Sequence, residues 1–97
     1  MATYIVLMQF TDQGIRNVKD TTKRAVAATE AAAQMGAKFK EVYWTLGGYD
    51  GVIVAEAPDD ETITALSLRI ASLGNIRTQT LRAFQAGEVE AILKRIG

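Results

Sequence analysis

Apolar residues fill both parities of the first segment, Thr3-Tyr4-Ile5-Val6-Leu7-Met8-Gln9-Phe10. Tyr4, Val6, Met8 and Phe10 share one side, and Ile5 and Leu7 share the other. β-Branched and aromatic residues at this density predict a strand over 3–10. Apolar character on both sides further predicts that both faces of that strand are covered. Thr11-Asp12 then offers a helix start, with Ile15 and Val18 as its apolar stripe, and Asp20-Thr21-Thr22 adds a second set of N-cap residues. From Arg24 to Met35 the chain is alanine-rich, and it reaches Gly36, a residue suited to the position after a helix. The pattern predicts a short helix feeding a longer one, or one helix jointed near Asp20. Helix propensity accounts for the alanines at 25, 27, 28, 31, 32 and 33, which would also permit close approach by another helix.

A second strand is predicted over 38–46, with Val42, Trp44 and Leu46 on one parity and Phe39 and Tyr43 on the other. Gly47-Gly48 supplies two residues able to adopt positive φ, as a two-residue hairpin turn requires, and Tyr49 to Ala57 is the returning strand. Pro58 ends that strand. Asp59 caps the next helix, and Asp60 and Glu61 complement its positive first turn. Ile63, Leu66 and Ile70 give the helix an apolar face, and Gly74-Asn75 stops it. The fourth strand, 76–84, alternates Ile76, Thr78 and Thr80 with Arg77, Gln79 and Leu81. Val89, Ile92, Leu93 and Ile96 fall at helical spacing in the tail from Glu88.

The resulting order is β-α-β-β-α-β with a C-terminal helix, an α+β ferredoxin-like arrangement: a four-stranded antiparallel sheet with two helices on one face. Such a subunit leaves the other sheet face bare. Yet the strands offer apolar side chains on both parities: Val6 and Ile5, Val42 and Tyr43, Val54 and Ile53. A large apolar face calls for a cover. The economical cover is the same face of a second subunit on a two-fold axis, so the patterning predicts a homodimer or higher homo-oligomer.

Composition narrows the chemistry. The chain of 97 residues is one domain by length, and its 11 basic and 11 acidic residues leave a net charge of zero. That balance argues against a nucleic-acid footprint, which needs a basic surface. Cysteine and histidine are both absent. Disulfides, thiolate or imidazole metal sites, Cys nucleophiles and His general bases are therefore excluded. No metal or cofactor is expected. No segment approaches the ~20 apolar residues of a membrane span. The run Tyr4–Met8 follows no basic n-region, so the cytoplasm is the expected compartment.

Three segments carry a resemblance: Tyr43-Trp44-Thr45-Leu46-Gly47-Gly48-Tyr49-Asp50, Phe10-Thr11-Asp12-Gln13-Gly14-Ile15 and Leu73-Gly74-Asn75-Ile76-Arg77-Thr78. With them, residues 2–95 or so resemble the GYD-domain family, named for the Gly-Tyr-Asp that stands here at 48–50. The resemblance implies the dimeric α/β-barrel superfamily, in which two ferredoxin-like subunits pack sheet to sheet. The family has no settled activity, so no catalytic residue is carried over. The superfamily also holds haem-active enzymes, small monooxygenases, isomerases and ligand-sensing domains. The absence of histidine departs from its haem branch.

Six residues are candidates for a ligand site: Tyr43, Trp44, Tyr49, Asp50, Arg77 and Gln79. Aromatic walls with a few polar groups are the usual make-up of a small-ligand pocket. In the purely structural reading, Gly47 and Gly48 make the turn, Trp44 is core and Asp50 satisfies turn amides. Arg77 and Gln79 share a parity. Facing a cleft between sheets, Arg77 would hold a carboxylate or enolate oxygen, or pair with Glu56 or Asp50; facing outward, both are ordinary surface residues. Ser67 and Ser72 have no histidine to activate them. Three functions follow: a dimer that binds a small organic molecule, a metal-independent oxygenase- or isomerase-type enzyme on an aromatic or enolisable substrate, and a structural oligomerisation module.

Overall fold

In the computed structural model, which describes residues 1–97, the first apolar run forms the strand Ala2–Phe10 (β1) at the heart of the sheet. Thr11 caps a one-turn helix, Asp12–Arg16 (α1), by accepting the Gly14 amide on its side-chain oxygen. A 3-10 turn over Val18–Asp20 is the joint, and the alanine-rich helix Thr21–Gln34 (α2) follows. Strands Lys38–Trp44 (β2) and Gly51–Ala57 (β3) lead to helix Asp60–Ala71 (α3), strand Ile76–Ala83 (β4) and the terminal helix Ala86–Leu93 (α4). No helix is long and apolar enough to cross a membrane.

The strands run antiparallel in the order β2-β3-β1-β4, which places β4 at an edge beside β1. With α2 and α3 on one face, this is the ferredoxin-like topology. The helix-covered face is built from Tyr4, Val6 and Met8 of β1 and Ile53, Ala55 and Ala57 of β3, all buried. Ala32 of α2 and Ile63 and Leu66 of α3 complete a small core. Leu66, 1% exposed, is its one large side chain wholly removed from solvent. Burying such a side chain contributes about 1.5–3 kcal/mol. Only 12 of 97 residues are buried, so the subunit leaves much apolar surface half-wet.

Part of that surface lies on the opposite face. Cross-strand partners point to the same side of a sheet. The pairs Ile5↔Val54, Leu7↔Val52, Ile5↔Leu81 and Leu7↔Gln79 therefore lay out one continuous face carrying Ile5, Leu7, Val52, Val54 and Leu81. No helix of the subunit crosses it. Tyr43, opposite Val52, and Arg77, opposite Gln9, extend it at either end.

Two expectations need correcting. The β2–β3 connection is not a two-residue hairpin, because β2 ends at Trp44 and β3 begins at Gly51. The Thr45 amide reaches the Asp50 carbonyl at 3.0 Å and closes a six-residue loop over 45–50, in which only Gly47 has positive φ. The reason is tertiary. The Asp50 amide donates to the Met8 carbonyl and its carboxylate accepts the Phe10 amide, so the segment is drawn across the end of β1. The second correction concerns Phe39, assigned to the parity of Tyr43. A bulge between Phe39 and Glu41 makes Lys40 the extra residue, so Phe39 faces the helices with Val42 and Trp44.

Candidate functional site

The six candidates divide between the two faces. Tyr43, Gln79 and Arg77 stand on the open face, where the Tyr49 hydroxyl donates to Gln79 Oε1 at 2.8 Å. Beside them Gln9 Nε2 donates to the Gly48 carbonyl at 2.7 Å, tying the loop down over β1. The Tyr43 hydroxyl donates to Glu41 at 3.2 Å, and the charge of that carboxylate, with the hydrogen bond, holds the phenol above its usual pKa. Arg77 makes no ion pair with Glu56 or Asp50; the single salt bridge of the chain joins Arg82 to Glu88 at 3.5 Å. Asp50 is occupied with the Phe10 amide at 2.8 Å. Trp44 points the other way. Its indole Nε1 donates to Thr21 Oγ1 at 3.1 Å, across to the start of α2.

Trp44 marks a cavity that the candidate set does not describe. Between α2, α3 and the covered sheet face lies a space of about 300 Å³, at the lower end of the range for small-ligand pockets. Ala25, Ala28 and Ala31 present short side chains from α2, opposite Ile70 and Leu73 from α3 and its C-terminal turn. The small residues of α2 thus leave a gap over the sheet instead of drawing α3 close. Met8, Phe39, Val42, Trp44 and Ile53 form its floor. Four polar residues line it: Thr21, Arg24, Arg69 and Asn75. Sequence reasoning missed Arg24 and Arg69 because helix spacing alone does not tell a rim position from a solvent one. The bulge at Lys40, which turns Phe39 inward, was equally hidden.

A tight junction closes one end of this space. A Cβ on Gly14 would lie 1.9 Å from the Asn75 carbonyl oxygen, so only glycine allows α1 to meet the turn after α3. The Thr11 amide donates to that same oxygen at 3.1 Å, and its hydroxyl donates to the Gly74 carbonyl at 2.5 Å. Gln13 Nε2 reaches the Leu73 carbonyl at 3.0 Å and Asn75 Oδ1 at 3.1 Å. Arg24 is anchored here as well, donating to the carbonyls of Asn17 at 2.8 Å and Gly14 at 3.4 Å. Two of the three family-like segments, 10–15 and 73–78, are therefore one structural unit.

At the far end of β1, Tyr4 is buried and donates to Asp60 at 2.6 Å. Burial first, then the bond to Asp60 and its charge, push the phenol up to about 12. Arg82, opposite Tyr4 in register, sits 4.3 Å over the Phe84 ring and 5.7 Å from that of Tyr4.

A four-stranded sheet covered by two helices on one side and bare on the other defines a ferredoxin-like α+β protein. The chain belongs to the GYD-domain family, whose model matches residues 4–93. It is similar to a Thermus thermophilus protein named glutamine synthetase and cystathionine beta-lyase binding protein. The two are 36% identical over 95 residues, 97% of this chain and 100% of the relative. A crystal structure from the same organism is 32% identical with a TM-score of 0.58, covering 89% of this chain and 96% of that one. The leucine response regulatory protein of Mycobacterium tuberculosis aligns with a TM-score of 0.61 at 16% identity, over 88% of this chain and 51% of its own. At that identity the likeness is one of fold alone.

Proposed function

We propose that the protein is a homodimer, a dimeric α/β barrel, that binds a small organic molecule. The observation that carries the binding is the cavity of about 300 Å³ beneath α2 and α3, walled by apolar side chains and touched by four polar ones. An apolar concavity of this size, partly open to solvent on so small a subunit, offers a ligand a place to bury its own apolar surface. Dimerisation is supported by the open face of Ile5, Leu7, Val52, Val54 and Leu81, which no element of the subunit covers. Tyr43, Tyr49, Arg77 and Gln79 then lie at the subunit interface, and Trp44 lies at the ligand.

Light scattering should give twice the subunit mass of 10.5 kDa. Trp44, the sole tryptophan, should change its emission on titration with 1-octanol, and Ala28→Leu, which fills the cavity, should abolish that change. A monomer in solution overturns the dimer. A flat Trp44 signal with every apolar probe overturns the cavity as a binding site.

A second reading is favoured by the name of the Thermus relative, which is that of a binding protein for two enzymes. The exposed stripe of Ile92, Leu93 and Ile96 at and beyond α4 supports a protein contact of that kind. Mixing the purified protein with glutamine synthetase from its own source tests this reading: a co-eluting complex supports it, and two separate peaks remove it.

A further inference from the structure

Resting on the cavity as a binding site, we infer that its occupant is a small amphipathic carboxylate, with the carboxyl group held between Arg24 and Arg69. The lining has no acidic residue, although the chain carries as many acids as bases. Its two charged members are both arginines, and neither has a carboxylate within ion-pair distance, since the single salt bridge is Arg82–Glu88.

Both arginines belong to one end of the space. Arg24 stands in the first turn of α2 and Arg69 in the last turn of α3. These two helix ends lie together because Arg24 holds the Gly14 carbonyl, and Gly14 abuts Asn75 just beyond α3. Thr21 and Asn75, the remaining polar lining residues, come from the same end. The other lining is aliphatic or aromatic. The layout is a polar end beside an apolar body, which matches a molecule with one charged end.

Arg24 is already oriented. Its donations to the Asn17 and Gly14 carbonyls use part of its donor set and fix the guanidinium, leaving further N–H groups for an anion. A planar guanidinium meets a carboxylate in a two-pronged geometry that an ammonium cannot supply. At a water's share of ~30 Å³ for each non-hydrogen atom, the volume holds on the order of ten such atoms. A carboxylate is the smallest anionic head of this type and leaves most of that space to the apolar body.

Octanoate and 1-octanol form a matched pair of about this size. In titrations read by Trp44 emission, octanoate should bind the intact protein about tenfold more tightly or better, the worth of one charge-assisted hydrogen bond. The margin should narrow as salt is raised and shrink below about threefold in Arg69→Gln, with Arg24→Gln as a second variant. Arg24 also supports the backbone of α1, so the Arg69 variant and the salt series carry the test if Arg24→Gln unfolds. Equal affinity for acid and alcohol in the intact protein, or a margin untouched by salt and by Arg69→Gln, overturns the inference and leaves the cavity reading standing. Absence of any response to either probe overturns both.

Discussion

The two faces of the sheet are made from the same strands and use their residues in opposite ways. Under α2 and α3, Tyr4, Val6, Ile53 and Ala55 are buried, yet small side chains on α2 keep the packing from closing and leave a cavity. On the other side Ile5, Leu7, Val52 and Val54 shield one another only in part, and nothing from the subunit lies over them. One face has a cover and lacks filling; the other has filling and lacks a cover. The two proposed partners differ accordingly: a small molecule suits a concave gap, and a matching plane suits a flat patch.

This contrast breaks most sharply by substitution. Leu66→Ala, on the sheet-facing side of α3, should cost about 3 kcal/mol of folding stability, read from denaturant unfolding with the m-value unchanged. Leu7→Glu, on the open face, should leave the circular dichroism of the fold intact and convert the proposed dimer to a monomer by light scattering. If both substitutions act only on folding, the two faces do not differ as described. A milder effect belongs to Tyr49→Phe, which removes the 2.8 Å bond to Gln79 at the edge of the open face and should cost about 1 kcal/mol or less.

The last effect is invisible at neutral pH. The Tyr4 phenol titrates at about 12 in the folded chain against 10.0 for the free side chain. Between these values the unfolded chain loses its proton first, so stability is complete below pH 10 and falls as pH rises toward 12. Alkaline unfolding of Tyr4→Phe should lack that decline. An unchanged alkaline profile would mean that burial and the Asp60 contact together do not shift the phenol.

Much of the fold was legible because its signals are local. Thr11, Asp59 and Gly74 mark helix boundaries by backbone chemistry that operates within a few residues, and the side chains of Thr11 and Asp59 accept the amides of Gly14 and Thr62 as caps should. The two-sided greasiness of β1 placed apolar side chains on both faces of the sheet, and the helices of the subunit cover only one of them. The hairpin was misjudged because Asp50 is claimed by β1, a contact 40 residues away that no turn rule contains. The candidate site was only half visible. Aromatic clustering drew attention to 43–50, yet alternation sends neighbours Tyr43 and Trp44 to opposite sides of the sheet, so closeness in sequence did not mean a shared pocket. Arg24 and Arg69 become a pair only through the meeting of two helix ends, which the Gly14–Asn75 approach brings about.

The extra residue at Lys40 has a consequence for how this strand is to be compared among relatives. It acts as a phase shift: before it, odd-numbered Phe39 points to the helices, and after it, even-numbered Val42 and Trp44 do. Loss of Lys40 alone would remove the bulge and leave Phe39, Val42 and Trp44 together on the helix side in plain alternation. A one-residue gap at this position in a relative would thus mark a straightened strand with the same pocket floor, whereas an equal gap in the 45–50 loop would disturb the ties that Gly48, Tyr49 and Asp50 make to β1 and β4.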